Sequence, residues 1–359
     1  MGIIILSPKT IYTELLIKSL RMKRIKYFSL TPLKLIFILL RLIKLRLKNF
    51  QIVHIHWLPT NSILLFLSFL ILLKILRFKI IWTMHNILPH EIRRYSRFIS
   101  CQLYKWSDRV ILASVHNLEP LKMNLKVTDL EKIRYIPLGE ISAYFPNLIS
   151  LEAARQMLKI PMGKKVFLYL GTIRRYKGVR NFLLALKELA KPSEDVIGMI
   201  VGKPVDTQLK SEVEEFKKEL GERLIVNFNY VPNQDIQNYL KACDVCVLPY
   251  ERITNSLSIF LPYAFARPAI SVATGNILDV VKDGETGILI NDVSPKILVK
   301  AMSRILKHDY RKMGEQGKTY TQKNFSWEKI GTQTLDLYRE INRNQPLEEL
   351  VLFHWGKIE

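Results

Sequence analysis

Acidic residues are scarce where this chain begins. The first 80 of its 359 residues hold Glu14 alone against fourteen lysines and arginines, within a net charge of +22. A surface of that sign attracts phosphates, on nucleic acid or on anionic lipid. Cysteine is also rare. Cys101, Cys243 and Cys246 are too few for a disulfide framework and suit a reducing compartment. Cys243 and Cys246 have metal-like spacing but lack a second pair and a nearby histidine, so they read as buried thiols in a strand. No Asp-x-Asp pair is present to hold a divalent cation, and neither a metal nor a cofactor is expected. Long apolar runs are missing too. Ser62–Leu73 is twelve residues before Lys74, short of the roughly 20 a spanning helix needs, and reads as a buried or partly inserted helix. The opening MGIIILSPKT lacks the basic lead and long apolar core of a signal peptide and reads as a first strand. The expectation is a cytoplasmic protein, peripheral on the inner face of the cell membrane.

What is present is a folded chain, 48% hydrophobic and 24% charged, long enough for two domains. In Thr31–Phe50, Lys34, Arg41 and Lys48 stand seven apart with Lys44 beside them, among Leu, Ile and Phe. One basic stripe on an apolar helix describes a helix lying in an anionic membrane interface. A nucleic-acid-binding α/β protein is the rival reading of this charge. It calls for aromatics between the cations, and residues 31–50 offer only Phe37 and Phe50.

Short β-rich runs alternate with helical stretches throughout. The expected strands are Ile3–Leu6, Gln51–His56, Lys79–Thr83, Arg109–Ala113 and Lys132–Ile136. A second series follows at Lys165–Leu170, Val196–Val201, Leu224–Phe228, Val245–Pro249, Ala269–Val272 and Gly287–Ile290. Helices in the first half are expected at Thr10–Met22, Pro32–Lys48, Asn61–Leu76, Arg93–Trp106 and Asn117–Asn124. Such alternation implies two doubly wound parallel sheets. The expected division is 1–150 and 151–310, a helix over 311–345 crossing back to the first domain, and a tail at 346–359.

Ligands of open α/β sheets sit beyond the carboxyl ends of the strands. WTMHNILPHE (Trp82–Glu91) lies just past one such end and brings His85, Asn86, His90 and Glu91 there. His54 and His56, two apart, point to the same strand edge. In the second series VFLYLGTIRRYKGV ends a strand at Gly171, carries Arg174 and Lys177 through a turn, and enters a helix at Gly178. Cations near a helix amino terminus suit a diphosphate. A solvated basic turn has the same composition. Further on, Tyr250 and Glu251 follow a buried strand, and Asn255 or Ser256 is expected to cap an apolar helix.

These motifs in order resemble the nucleotide-sugar glycosyltransferases with the GT-B fold, in particular the retaining group four that builds surface polysaccharides. The resemblance covers about Val53 to Ile341, through VHIHW, IIWTMHNILPHE, YIPLGE, LGTIRRYKGV, DVVKDGETGIL and NFSWEKIGTQTLDLYREI. It implies two Rossmann-like domains facing across a cleft, the first for the acceptor and the second for a UDP- or GDP-linked sugar. The acceptor is then a lipid-linked glycan or polysaccharide. Arg174, Lys177, Gly171, Asn255 and Ser256 would hold the donor diphosphate, and Glu251, Asn86 and Tyr250 the sugar or nucleotide. His85 would face the donor sugar, as a neutral acceptor or as a cation, and His90 or Glu91 would serve the acceptor hydroxyl. Retention needs no carboxylate base; inversion would call on Glu91 or His90. The sequence departs from the family pattern where two glutamates eight apart are usual and Ile253 and Leu261 stand instead, and at Leu138, where a subgroup has histidine. A non-catalytic relative acting as a binding partner is the alternative that these departures raise.

Overall fold

The computed structural model describes residues 2–29, 41–57, 62–88, 95–190 and 195–342. They form two compact units, Met1–Gly139 with the segment from Phe325 on, and Glu140–Asn324.

The first unit is built on a six-stranded parallel sheet of β1 (Gly2–Ser7), β2 (Ile25–Ser29), β3 (Phe50–Ile55), β4 (Lys79–Met84), β5 (Arg109–Leu112) and β6 (Ile133–Tyr135), in the order β2-β1-β3-β4-β5-β6. Its helices are α1 (Ile11–Leu20), α2 (41–47), α3 (Ile63–Ile75), α4 (Ser96–Trp106), α5 (Leu118–Leu125) and a returning C-terminal helix, Trp327–Ile341. Successive strand side chains point to opposite faces. Val53 and Ile55 of β3, with Trp82 and Met84 of β4, therefore join Phe66, Phe69 and Leu73 of α3 in one apolar cluster. Ile52, His54 and His56 take the other face, on the side of the returning helix.

The second unit repeats the plan with β7 (Lys165–Leu170), β8 (Val196–Val201), β9 (Leu224–Asn227), β10 (Val245–Leu248), β11 (Ala269–Val272) and β12 (Gly287–Ile290), all parallel, in the order β12-β11-β10-β7-β8-β9. Helices α6 (Leu151–Met157), α7 (Val179–Ala190), α8 (Thr207–Leu220), α9 (Ile236–Ala242), α10 (Phe260–Ala264), α11 (Ile277–Val280), α12 (Pro295–Leu306) and α13 (Tyr310–Asn324) complete it, so the returning helix is α14. A buried ion pair, Arg155 Nη2 to Asp244 Oδ2 at 2.8 Å, ties α6 to the start of β10, and the same carboxylate accepts the Val166 amide at 2.8 Å.

Four features differ from the sequence expectation. Strand β2 was not expected, because the cations from Arg21 to Lys26 mask an edge strand that pairs only with β1. The helix expected over Pro32–Lys48 lies partly outside the described residues, and 41–47 are its helical portion within them. The units divide at Gly139/Glu140, not at 150, and residues 142–144 pack on α10. The helix expected over 311–345 is two. α13 stays in the second unit, where Gly314 and Gly317 let Ala266 and Tyr263 approach. The chain then breaks, and Ser326 caps α14 by accepting the Lys329 amide.

Candidate active site

In the first unit the carboxyl edges of β3 and β4 bring three histidines together. The His54 ring is fully engaged: Nδ1 lies 2.7 Å from the Tyr338 hydroxyl of α14, and Nε2 lies 2.7 Å from Thr83 Oγ1. One step along the same face, His56 Nδ1 is 3.1 Å from His85 Nε2. His56 Nε2 is buried and has no hydrogen-bond partner among the described residues. Trp57 stacks flat on His85, 4.2 Å between centroids, and Tyr12 meets the same ring edge-on at 4.9 Å. Trp327 packs on Tyr12 and fills the space above Gly139, where a methyl group would stand 2.3 Å from the indole.

Burial dominates the electrostatics of this cluster. It pulls His54 and His85 down to about 3, His85 further lowering His54, and it holds His56 well below its ordinary value. All three rings are neutral at physiological pH. With no ligand bound, His85 is thus a neutral imidazole and not a cation. His54 is closed off by Tyr338 and Thr83. Asn86 follows His85, half-buried, with an Oδ1 that has no partner among the described residues. His90 and Glu91 lie outside the described residues.

A hollow of about 750 Å³ opens at the opposite, amino edge of this sheet. Its cations are mostly matched by acids: Lys74 with Asp108, and Arg109 and Arg134 with Glu340. It does not make an anion site.

In the second unit the sheet order reverses between β7 and β10, the switch point where open α/β sheets bind ligands. Gly171 ends β7 with φ +134, and a methyl group there would stand 3.4 Å from Lys177 Nζ. The turn through Arg174 and a 3₁₀ segment, Arg175–Lys177, brings the ammonium back over the strand end. Gly178 follows with φ +69, and a Cβ there would meet the Pro249 carbonyl at 1.9 Å. Only glycine lets this loop lie against the end of β10. Burial, with Arg174 adding to it, pulls Lys177 down to about 8.

Tyr250 and Glu251 join this group from β10. The Glu251 amide donates to the Tyr176 carbonyl at 2.8 Å, and its exposed carboxylate accepts from Asn181 Nδ2 at 3.2 Å. Tyr250 is buried, its hydroxyl bonded to Ser256 and Ser258, and burial pushes it up to about 12. Ser256 does not cap a long helix. It precedes a 3₁₀ turn, Leu257–Ile259, that runs into the five-residue α10, and it makes no capping side-chain bond. Asn276 holds it instead, accepting the Ser256 amide at 2.7 Å and donating to its carbonyl at 3.1 Å. Asn255 stands beside it, half-buried. Cys243 and Cys246 are buried thiols with Sγ atoms 3.8 Å apart, away from this edge.

Residues 151–320 match the family model described as glycosyl transferases group 1. The matched stretch makes up most of the second unit. The D-inositol 3-phosphate glycosyltransferase of Corynebacterium urealyticum is 27% identical over 213 residues, 57% of this chain and 50% of the relative. That of Corynebacterium kroppenstedtii is 25% identical over 262 residues, 70% of this chain and 57% of the relative. The chain thus spans little more than half the length of these relatives. HepE of Anabaena, solved with UDP, superposes at a TM-score of 0.76 with 14% identity, covering 95% of this chain and 100% of that one. Sucrose-phosphate synthase of Thermosynechococcus elongatus superposes at 0.75 with 20% identity, covering 96% and 100%. The chain has the GT-B fold.

Within the second unit, Gly171, Arg174, Lys177, Tyr250 and Glu251 come together, with Ser256 tied to Tyr250. The sequence reading missed Tyr12, Trp57, Thr83, Trp327 and Tyr338 around the histidines, and Tyr176, Asn181 and Asn276 in the second unit. Trp57 could have been found, since it directly follows His56. Tyr338 could not, because its contact with His54 spans 284 positions.

Proposed function

We propose that the protein is a glycosyltransferase that moves a hexose-type sugar from a nucleoside-diphosphate donor to a lipid-linked or polysaccharide acceptor. The observation that carries this is the Lys177 ammonium held over Gly171 at the switch point of the second unit, with Arg174 beside it. A half-buried ammonium near pKa 8 gains most from an incoming diphosphate, because the anion supplies the charge its surroundings lack. The solved relative carrying UDP supports a UDP-linked donor. In this reading Arg174, Lys177 and backbone amides take up the charge of the leaving diphosphate, without a divalent cation.

In this reading the neutral His85 ring bonds a sugar hydroxyl of the substrate. The bond from the anomeric carbon to the phosphate oxygen breaks as the acceptor oxygen attacks on the same face. The departing phosphate oxygen takes the acceptor proton, so configuration is retained. The protein works at a cytoplasmic membrane surface, a reading supported by the cation-rich first 80 residues.

Calorimetric titration with UDP, GDP and ADP tests the donor site. Micromolar binding of one of them that is lost in Arg174→Ala and Lys177→Ala is expected, and no binding of any would overturn the assignment. NMR of the product's anomeric proton tests retention; an inverted product refutes it.

A further inference from the structure

Helix α3 carries only two polar side chains, Ser68 and Lys74, among thirteen residues. Its inner side, Phe66, Phe69, Leu70 and Leu73, is buried in the core of the first unit. Its outer side is Leu64, Ser68, Ile71 and Ile75, so one small hydroxyl stands among three bulky aliphatics, of which Leu64 is 78% exposed, Ile75 70% and Ile71 47%. Helices of water-facing surfaces carry polar residues there. Beside it, α2 buries Leu42 and Leu45 in the same cluster and exposes Ile43 and Leu47, the latter at 83%. Arg46 joins the two helices, its Nε donating to the Leu76 carbonyl at 2.7 Å. The apolar patch is rimmed by exposed Arg41, Lys44, Lys48 and Arg77, and no acidic residue occurs between Glu14 and Glu91.

We infer that the outer faces of α2 and α3 form a docking surface for an anionic lipid bilayer, with the aliphatic side chains in the acyl boundary and the cations among the headgroups. This deepens the membrane part of the reading above. Charge selects the occupant. A second copy of the chain would bring like-signed rims together. Nucleic acid would meet aliphatic side chains without a stacking platform. Bulky aliphatics inside a cationic rim match an anionic interface.

The fold also gives the surface a direction. A crossover helix between parallel strands runs antiparallel to them, so the Ser62 end of α3 lies at the carboxyl edge that carries His56 and His85, and Ile75 lies at the other. Thirteen residues span about 20 Å. A lipid lying along α3 thus reaches the histidine edge by its Leu64 end.

The test is flotation of the full chain with vesicles of phosphatidylcholine alone and of phosphatidylcholine with one third phosphatidylglycerol, at low and high salt. The variant is the triple substitution Leu64→Ser, Ile71→Ser, Ile75→Ser, which touches outward side chains; circular dichroism and UDP affinity report its fold. Wild type should bind the anionic vesicles, more weakly in high salt, and the triple variant should bind them on the order of a hundredfold less tightly with its fold intact. Charge reversal by Lys44→Glu with Lys48→Glu should lower binding and leave UDP affinity unchanged. Full binding by the triple variant overturns the surface assignment and leaves the membrane reading standing. No wild-type binding at all overturns both. A dimer that the triple variant dissociates, or an RNA shift that replaces vesicle binding, also overturns the inference.

Discussion

Lys177 gives the sharpest test, because the same burial acts in opposite directions on stability and on donor binding. Its ammonium is pulled from the ordinary 10.5 to about 8 by desolvation, with Arg174 second. In the free protein it is therefore ~90% charged at pH 7 and ~10% charged at pH 9. A bound diphosphate favours the charged form and lifts the bound-state pKa back up. Donor affinity should fall about tenfold between pH 7 and pH 9. Lys177→Arg keeps a permanent charge and should flatten that dependence. Lys177→Met loses a charge-assisted contact of about 1.5–3 kcal/mol, roughly 10- to 150-fold in affinity at pH 7. Stability has the other sign. The folded pKa lies below the unfolded one, so the unfolded chain holds more protons between pH 8 and 10.5 and stability rises with pH across that window. Below pH 8 the full penalty applies, and Lys177→Met should relieve it by at most about 3 kcal/mol. Calorimetry with UDP at the two pH values, and urea melts of both proteins at pH 7, measure the two effects. Affinity that is flat in wild type between pH 7 and 9 would refute the reasoning.

Three further outcomes are expected. His85→Ala should slow transfer by about 10²–10³-fold while UDP affinity stays within about twofold, and the wild-type rate should show no inflection near pH 6.5, since burial keeps the ring neutral down to about 3; a clear step at 6.5 contradicts a buried neutral His85. His54, His56 and His85 all sit below their unfolded pKa, so the stability they permit is complete above about pH 6.5 and is lost as pH falls, by at most about 4 kcal/mol per pH unit for the three. Urea melts near pH 7.5 and 5.5 that coincide would count against this. Gly178→Ala should destabilise the second unit by at least about 2 kcal/mol, because φ is +69 and the new methyl meets the Pro249 carbonyl; an unchanged thermal melt would show that the loop does not lie against β10.

Most of the strands were legible because each is a short apolar run bounded by a turn or a helix, and the alternation then dictates parallel pairing. β2 was not, since IKYFS is an edge strand whose neighbours read as a charge cluster. The break between α13 and α14 carried a local signal, Ser326 followed by a helical run, that the continuous helical pattern on both sides obscured. In the second unit the glycine-and-cation loop was legible because every part of it is local. Gly171, Arg174, Lys177 and Gly178 lie within eight positions, and glycine's conformational freedom is a property of the residue itself.

The histidines show where local reading stops. His54 and His56 are two apart on one strand, so parity places them on one face, and parity alone makes them equivalent. Their surroundings do not. The helix that returns as α14 sets Tyr338 against His54, and β4 sets Thr83 on its other nitrogen, so both polar atoms of that ring are spent on holding the sheet to the helix. His56, one step nearer the strand end, spends only Nδ1, on His85, and keeps a buried Nε2 with no partner among the described residues. A buried polar atom left in that state costs about 1–3 kcal/mol, which a bound water or substrate hydroxyl would recover. What separates the structural histidine from the one open to chemistry is therefore its inventory of partners, and one of those partners arrives from 284 positions away.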